Sequence, residues 1–359
     1  MNVETKAETR AERNTSVETR HLNLALQGGG AHGAFTWGVL EHLLEDGRLA
    51  VEGISGTSAG AVNAVMLADG LRTGPDEARK RLSDFWRAAS LGGDLPALQR
   101  AVLNRLFSLL PSEGSPGFDW LNAWSKYLSP YDVNPLNINP LKDLIERFVD
   151  FEKLRADPRA LFIAATNVQT GRLHIFPHDK VSAEAVMASA CLPAVFRAVE
   201  IDGVSYWDGG YLGNPVLFPF FRATATEDVL IVQINPLVRK KVPHSTREIV
   251  ARVNEITFNS ALLAELRAIE FVNRLIEQGR VPHGTGPNEY RRIRVHRIVL
   301  EGLGERFSSS SKLRNDLESF ELLRKLGHRA ARRFLDAHFA DIGIHSSIDL
   351  KAEVAAERG

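Results

Sequence analysis

Leu22-Asn23-Leu24-Ala25-Leu26-Gln27-Gly28-Gly29-Gly30-Ala31-His32-Gly33, followed by Val51-Glu52-Gly53-Ile54-Ser55-Gly56-Thr57-Ser58-Ala59-Gly60, repeats one pattern: a short, mainly apolar run passing into a glycine-rich turn. Each half reads as strand, tight turn, helix, the arrangement by which an α/β fold presents backbone N–H groups and a side chain at the carboxyl edge of its sheet. The pattern predicts strands over 22–27 and 51–55. Helices follow over 34–44, stopped by Gly47, and over 61–67, where small residues allow close packing on the sheet.

Working outward, residues 1–20 lack the apolar centre of a secretory signal and are expected to be a disordered leader. The segment 70–150 is broken by glycine and proline and reads as a helical insertion into an α/β domain over 21–222. Within it, Leu98, Val102, Leu106, Leu109 and Leu110 approach helical spacing, and Trp120, Trp124, Tyr127 and Tyr131 form an aromatic cluster. These residues make either the ordinary core of a helical subdomain or an apolar lid over an acyl-binding groove. Strands are expected over 161–167 and 172–176 as a hairpin, then over 198–201, 204–207 and 229–234, the last closing the sheet. Ser182 is placed to cap a short helix over 183–190. The remainder, 223–345, reads as that last core strand plus a mainly helical extension, with a strand at 293–300, before a tail at 346–359. Arg291, Arg292, Arg294 and Arg297, with Lys325, Arg329, Arg332 and Arg333, read as solvated faces or, more sharply, as a phospholipid headgroup surface.

Acidic and basic residues balance to zero net charge across 359 residues, which argues against nucleic acid as a partner. A single cysteine, Cys191, cannot form an internal disulfide, and its apolar neighbours make it a small core residue rather than a reactive thiol. No run reaches the roughly 18 apolar residues of a spanning helix. The expectation is a cytoplasmic protein whose contact with a membrane is peripheral, at the inner face; oligomeric state is not legible.

Gly56-x-Ser58-x-Gly60 at a strand-to-helix turn has the form of a nucleophile elbow, in which missing Cβ atoms let Ser58 take a strained backbone conformation with its Oγ exposed at a helix start. Gly28, Gly29 and Gly30, one unit earlier, can offer N–H groups to a developing oxyanion. For the base, Asp208 follows a strand and is pinned by Gly209 and Gly210; it reads equally as a turn-forming residue. His244, His283 and His296 would serve a Ser-His-Asp esterase instead, and a lipid-surface binding protein without turnover is a further alternative. Gly28-x-Gly30-x-x-Gly33 also matches a dinucleotide fingerprint, but the acidic residue that should end the second strand is absent, Glu52 standing near its start.

Taken in order, Gly28-Gly29-Gly30-Ala31-His32-Gly33, Gly56-Thr57-Ser58-Ala59-Gly60, Ala188-Ser189-Ala190-Cys191-Leu192-Pro193 and Asp208-Gly209-Gly210 resemble the patatin-like phospholipase family. The resemblance implies a three-layer α/β/α sandwich with a mostly parallel sheet, a lipid or acyl-ester substrate, and a lipid acyl hydrolase of phospholipase A or carboxylesterase type. It implies Ser58 as nucleophile, Asp208 as its proton acceptor, Gly28 to Gly30 as the oxyanion loop, and neither metal nor organic cofactor. One departure is His32, where the family commonly carries Lys or Arg. With a reference pKa of about 6.5, a histidine there supplies no fixed cation at neutral pH.

Overall fold

The computed structural model describes residues 18–90, 130–133, 139–193, 196–301 and 317–355. Residues 1–17 of the leader expected over 1–20, and the candidate lid residues between Leu98 and Tyr127, lie outside the described residues, while Arg20 at the end of that leader begins the first strand. The chain runs β1 (Arg20–Leu26), α1 (Gly33–Asp46), β2 (Leu49–Gly56), α2 (Ala59–Leu71), α3 (Pro75–Ala89), α4 (Pro140–Phe148), β3 (Ala160–Asn167), β4 (Arg172–Pro177) and α5 (Ala183–Ser189). It continues through β5 (Val199–Ile201), β6 (Val204–Asp208), β7 (Asp228–Gln233), α6 (Thr246–Glu277), β8 (Arg294–Val299), α7 (Leu317–His338) and α8 (Leu350–Ala355).

Among the described residues the strands form one sheet in the order β5-β6-β3-β2-β1-β7-β8, with β4 paired to β3. β3, β2, β1, β7 and β8 are parallel, and β4, β5 and β6 form its antiparallel end. Alternation along β1 and β7 separates two cores. Leu22, Leu24, Leu26, Leu230 and Val232 face one side, where Phe35, Val39, Met66, Trp86 and Phe320 of four helices cover them. Ala25, Val229 and Ile231 face the other, under Leu262, Leu266 and Ile269 of α6. The result is an α/β/α sandwich with both faces of its parallel strands buried.

Local signals explain most boundaries. Gly47 ends α1 in the left-handed region at φ 72°. Ser182 caps α5 by accepting from Ala185 N–H, and a Ser245–Glu248 capping box starts α6, which is one continuous helix. Two expectations change. The sheet does not close at β7, because β8 pairs along its full length; Arg294 binds Asp228 with Nη2 2.7 Å from Oδ2 and so pins the two strands at their start. Burial opposes ionisation of Asp228, but His296 and Arg294 outweigh it and hold the carboxyl at about 2. The arginine run is likewise structural: Arg292 pairs with Glu277 and Arg297 with Glu353, while Arg291 donates to the Thr224 carbonyl.

The second change is α3, which falls inside the segment read as an insertion yet buries Ala78, Leu82, Phe85 and Trp86 in the main core. α7 is equally integral. It crosses α1 backbone to backbone: a Cβ on Gly327 would lie 2.0 Å from the Phe35 carbonyl oxygen, and one on Gly38 would lie 1.9 Å from that of Arg324. Gly327→Ala should therefore lower the unfolding free energy in urea by about 1–3 kcal/mol through overpacking, although alanine is intrinsically the better helix former by about 1 kcal/mol. Unchanged or raised stability would contradict this crossing.

Candidate active site

Register along β3 decides what meets at the carboxyl edge. β4 occupies one side of β3 from Phe162 to Asn167, so β2 and β6 must share the other. β2 ends with Gly56 opposite Ile163, and β6, running the opposite way, ends with Asp208 opposite Ala165. The two strands approach end to end. Ser58, two residues past Gly56, and Asp208 are thereby delivered to the same place.

Ser58 opens α2 at φ 54° and ψ −123°, a region that residues other than glycine rarely occupy and that costs about 1–3 kcal/mol. Its backbone is fixed from both sides: the N–H donates to Ser189 Oγ at 2.9 Å, and the carbonyl accepts from Ala61 N–H at 2.9 Å. A Cβ on Gly60 would sit 2.1 Å from the Leu26 carbonyl oxygen, so the elbow packs on β1 only with glycine there. The hydroxyl stands at the positive end of the α2 dipole, and Ser58 is 7% exposed.

Asp208 is fully buried. Its N–H donates to the Cys191 carbonyl at 2.8 Å, its carbonyl accepts from Thr166 Oγ1 at 2.8 Å, and Oδ1 accepts from Gly210 N–H at 2.7 Å. Among the described residues Oδ2 completes no hydrogen bond, and the side chain acting on the carboxylate is Ser58, whose hydroxyl favours the charged form. Burial wins: it pushes the Asp208 carboxyl up to about 7, against Gly210 N–H and Ser58. Burial, aided by the neighbouring Asp208 charge, also pushes the Cys191 thiol up to about 12, consistent with an inert core cysteine.

The glycine loop lies directly against Ser58, since a Cβ on Gly28 would fall 2.6 Å from the Ser58 Cβ. Its three glycines are not equivalent. Gly28 N–H donates to Asn214 Oδ1 at 2.6 Å, while the Gly28 carbonyl accepts from Asn235 Nδ2 at 2.7 Å and Asn214 Nδ2 at 3.2 Å. Gly29 and Gly30 N–H have no partner among the described residues. Gln27 extends the lock, accepting from Ile234 and Asn235 N–H at 2.8 Å each and donating to Asn259 Oδ1 at 2.9 Å. The loop after Asp208-Gly209-Gly210 is laced to the elbow by Thr57 Oγ1 to the Gly213 carbonyl and Ser55 Oγ to the Val216 carbonyl, both at 2.7 Å.

Asn214 and Asn235 lie outside every motif, and the roles of Gln27 and Ser189, which lie within quoted stretches, are not legible there because they act on backbone atoms far away in sequence. The histidines weighed as bases are placed elsewhere. His296 Nε2 is 3.0 Å from Asp228 and His283 Nε2 is 2.8 Å from Glu227, both at the amino end of β7, the opposite edge of the sheet from Ser58. His244 is exposed ahead of α6. His32 follows the glycines, and burial pushes it down to about 4, with Glu255 opposing and Arg239 adding to the effect. It is neutral at pH 7.

This chain belongs to the patatin-like phospholipase family: the family model matches residues 24–221, more than half of the sequence. Among solved structures it is similar to VipD from Legionella pneumophila, with 16% identity and a TM-score of 0.40, over 89% of this chain and 67% of that one. It is also similar to a chain of the heterodimeric ExoU-SpcU complex of the Pseudomonas aeruginosa type III secretion system, with 20% identity, a TM-score of 0.29 and coverage of 68% and 51%. The chain thus spans about half the length of that relative. No curated protein matches it.

Asn214→Ala tests the lock. Leaving Gly28 N–H buried without its acceptor should cost about 1–3 kcal/mol of stability, read as a lower urea midpoint with unchanged slope. No change would mean that the Asn214 amide does not hold the loop.

Proposed function

We propose that the protein is a lipid acyl hydrolase of phospholipase A or carboxylesterase type, acting through Ser58 and Asp208. The observation that carries this reading is Ser58, held at positive φ on a helix start, with its hydroxyl acting on a buried carboxylate whose Oδ2 completes no hydrogen bond among the described residues. Ser58 Oγ attacks the ester carbonyl carbon while Asp208 takes the hydroxyl proton, and the carbonyl electron pair moves onto oxygen. With Gly28 N–H committed to Asn214, the donors available to that oxyanion are Gly29 and Gly30, each worth about 3–4 kcal/mol in the transition state by analogy with other oxyanion holes. Collapse expels the alcohol, which takes its proton from Asp208, and leaves an acyl-Ser58 ester. Asp208 then accepts a proton from water, whose oxygen attacks the acyl carbon; the fatty acid leaves and the proton returns to Ser58.

Neutral His32 gives the loop no fixed positive charge at neutral pH. The Arg239 charge near it is paired with Glu255. This supports recognition through the ester carbonyl and acyl chain rather than through an ion pair at His32. Among the described residues no helix is long and apolar enough to cross a membrane, so lipid would be met at a surface.

Ser58→Ala and Asp208→Asn should each lower release of fatty acid from long-chain esters or phospholipid vesicles by at least about a thousandfold, with folding intact by circular dichroism. Activity retained in both variants would place the chemistry elsewhere.

The base must be ionised to act, and burial raises its pKa to about 7. For the wild type, kcat/KM should accordingly rise with pH through a limb centred near 7 and level off above it. A profile already flat from pH 5 would contradict Asp208 as the base.

A further inference from the structure

Where α1 meets α7, a cluster of ligating side chains takes no part in the hydrolysis. His42 and Glu45 stand three residues apart on α1 and therefore share a face. His328 comes across from α7, one residue after Gly327, so the backbone contact that fixes the crossing also fixes this imidazole. His328 Nε2 lies 2.8 Å from Glu45 Oε2, and His42 Nδ1 lies 3.8 Å from the same oxygen. The two rings have centroids 4.5 Å apart, and the three ligand atoms all fall within 4.8 Å of one another.

Two details distinguish this trio from an ordinary histidine–carboxylate pair. His42 Nδ1 is buried with no hydrogen-bond partner among the described residues, and 3.8 Å to Glu45 is too long to supply one. Glu45 Oε1 is meanwhile held by Arg79 Nη2 at 2.6 Å, which turns Oε2 toward the imidazoles in the way outer-shell partners orient metal ligands.

We propose that His42, Glu45 and His328 bind a divalent transition cation of the zinc class, which clamps α7 to α1. Two imidazole nitrogens and one carboxylate oxygen suit zinc, with water as a fourth ligand. Ligand atoms about 2.0–2.2 Å from tetrahedral zinc stand about 3.4 Å apart, so the trio closes on the ion through small side-chain shifts. Burial and His328 hold His42 below its usual pKa, with Arg332 adding to them and Glu45 and Asp46 opposing. His42 is roughly 13 Å along α1 from the glycine loop, so the ion is structural and stands outside the Ser58 chemistry.

The test uses the full chain without a histidine tag, stripped with chelator. It is titrated with zinc chloride by calorimetry and with cobalt chloride by visible absorption. One ion per chain should bind at least tenfold more tightly than to His42→Gln/His328→Gln, and zinc should raise the melting temperature of the wild type but not of that variant. Glu45→Gln should weaken binding similarly. If the double variant does not fold, His328→Gln alone serves, since that side chain is 34% exposed. No binding by the wild type, or equal binding by the variants, overturns the proposal. Ester cleavage should be unchanged by zinc in every case, which separates this site from the hydrolase reading.

Discussion

The end-to-end meeting of β2 and β6 along one side of β3 is the constraint on which the site rests. A parallel strand and an antiparallel one, sharing an edge, aim their carboxyl ends at each other. Ser58 and Asp208 are the residues that occupy the gap, and neither is comfortable there. One has a backbone conformation foreign to serine, and the other is a carboxylate removed from water. Each would relax if its surroundings loosened. Both are therefore held by many short bonds rather than by one strong one.

Those bonds come largely from side-chain amides and hydroxyls. Gln27 uses both atoms of its amide, accepting twice and donating to Asn259 and to the Asn214 carbonyl. Asn214 and Asn235 clamp Gly28, Ser189 clamps Ser58, and Glu265 accepts from Leu217 and Phe218 N–H at 2.8 and 2.9 Å to brace the next loop. Burial raises Glu265 to about 7, as it does Asp208, so two carboxyls of this region pass between neutral and charged forms in the same pH range. Satisfied networks of this kind rigidify a site more than pairwise bonds would. Clamping Gly28 leaves the N–H groups of Gly29 and Gly30 without a partner among the described residues.

Much of this architecture was legible in the sequence because its signals are local. The turns after β1 and β2, the Gly47 stop and the Ser182 cap need only neighbouring residues to be understood, and the structure places each near its predicted position. Ser58 stands out between Gly56 and Gly60, whereas Asp208 before Gly209 reads equally as a turn residue and takes its expected role from the family resemblance. What stayed hidden depends on distance along the chain. Asn214 reaches Gly28 across 186 positions and Gln27 reaches Asn259 across 232, and no composition or periodicity carries such a pairing. The packing of α3 into the core was masked by the glycine and proline residues around it. The arginines at 291–297 read as surface charge because their partners, Asp228, Glu277 and Glu353, lie on other elements.

In the proposed mechanism Asp208 makes Ser58 nucleophilic. Reaction with a fluorophosphonate ester, followed by peptide mass spectrometry over a range of pH, tests it without a known substrate. One adduct should form, on Ser58, at a rate that rises through pH 7 and falls at least about a hundredfold in Asp208→Asn. An adduct on another residue, or labelling of Ser58 at an undiminished rate in Asp208→Asn, would contradict it.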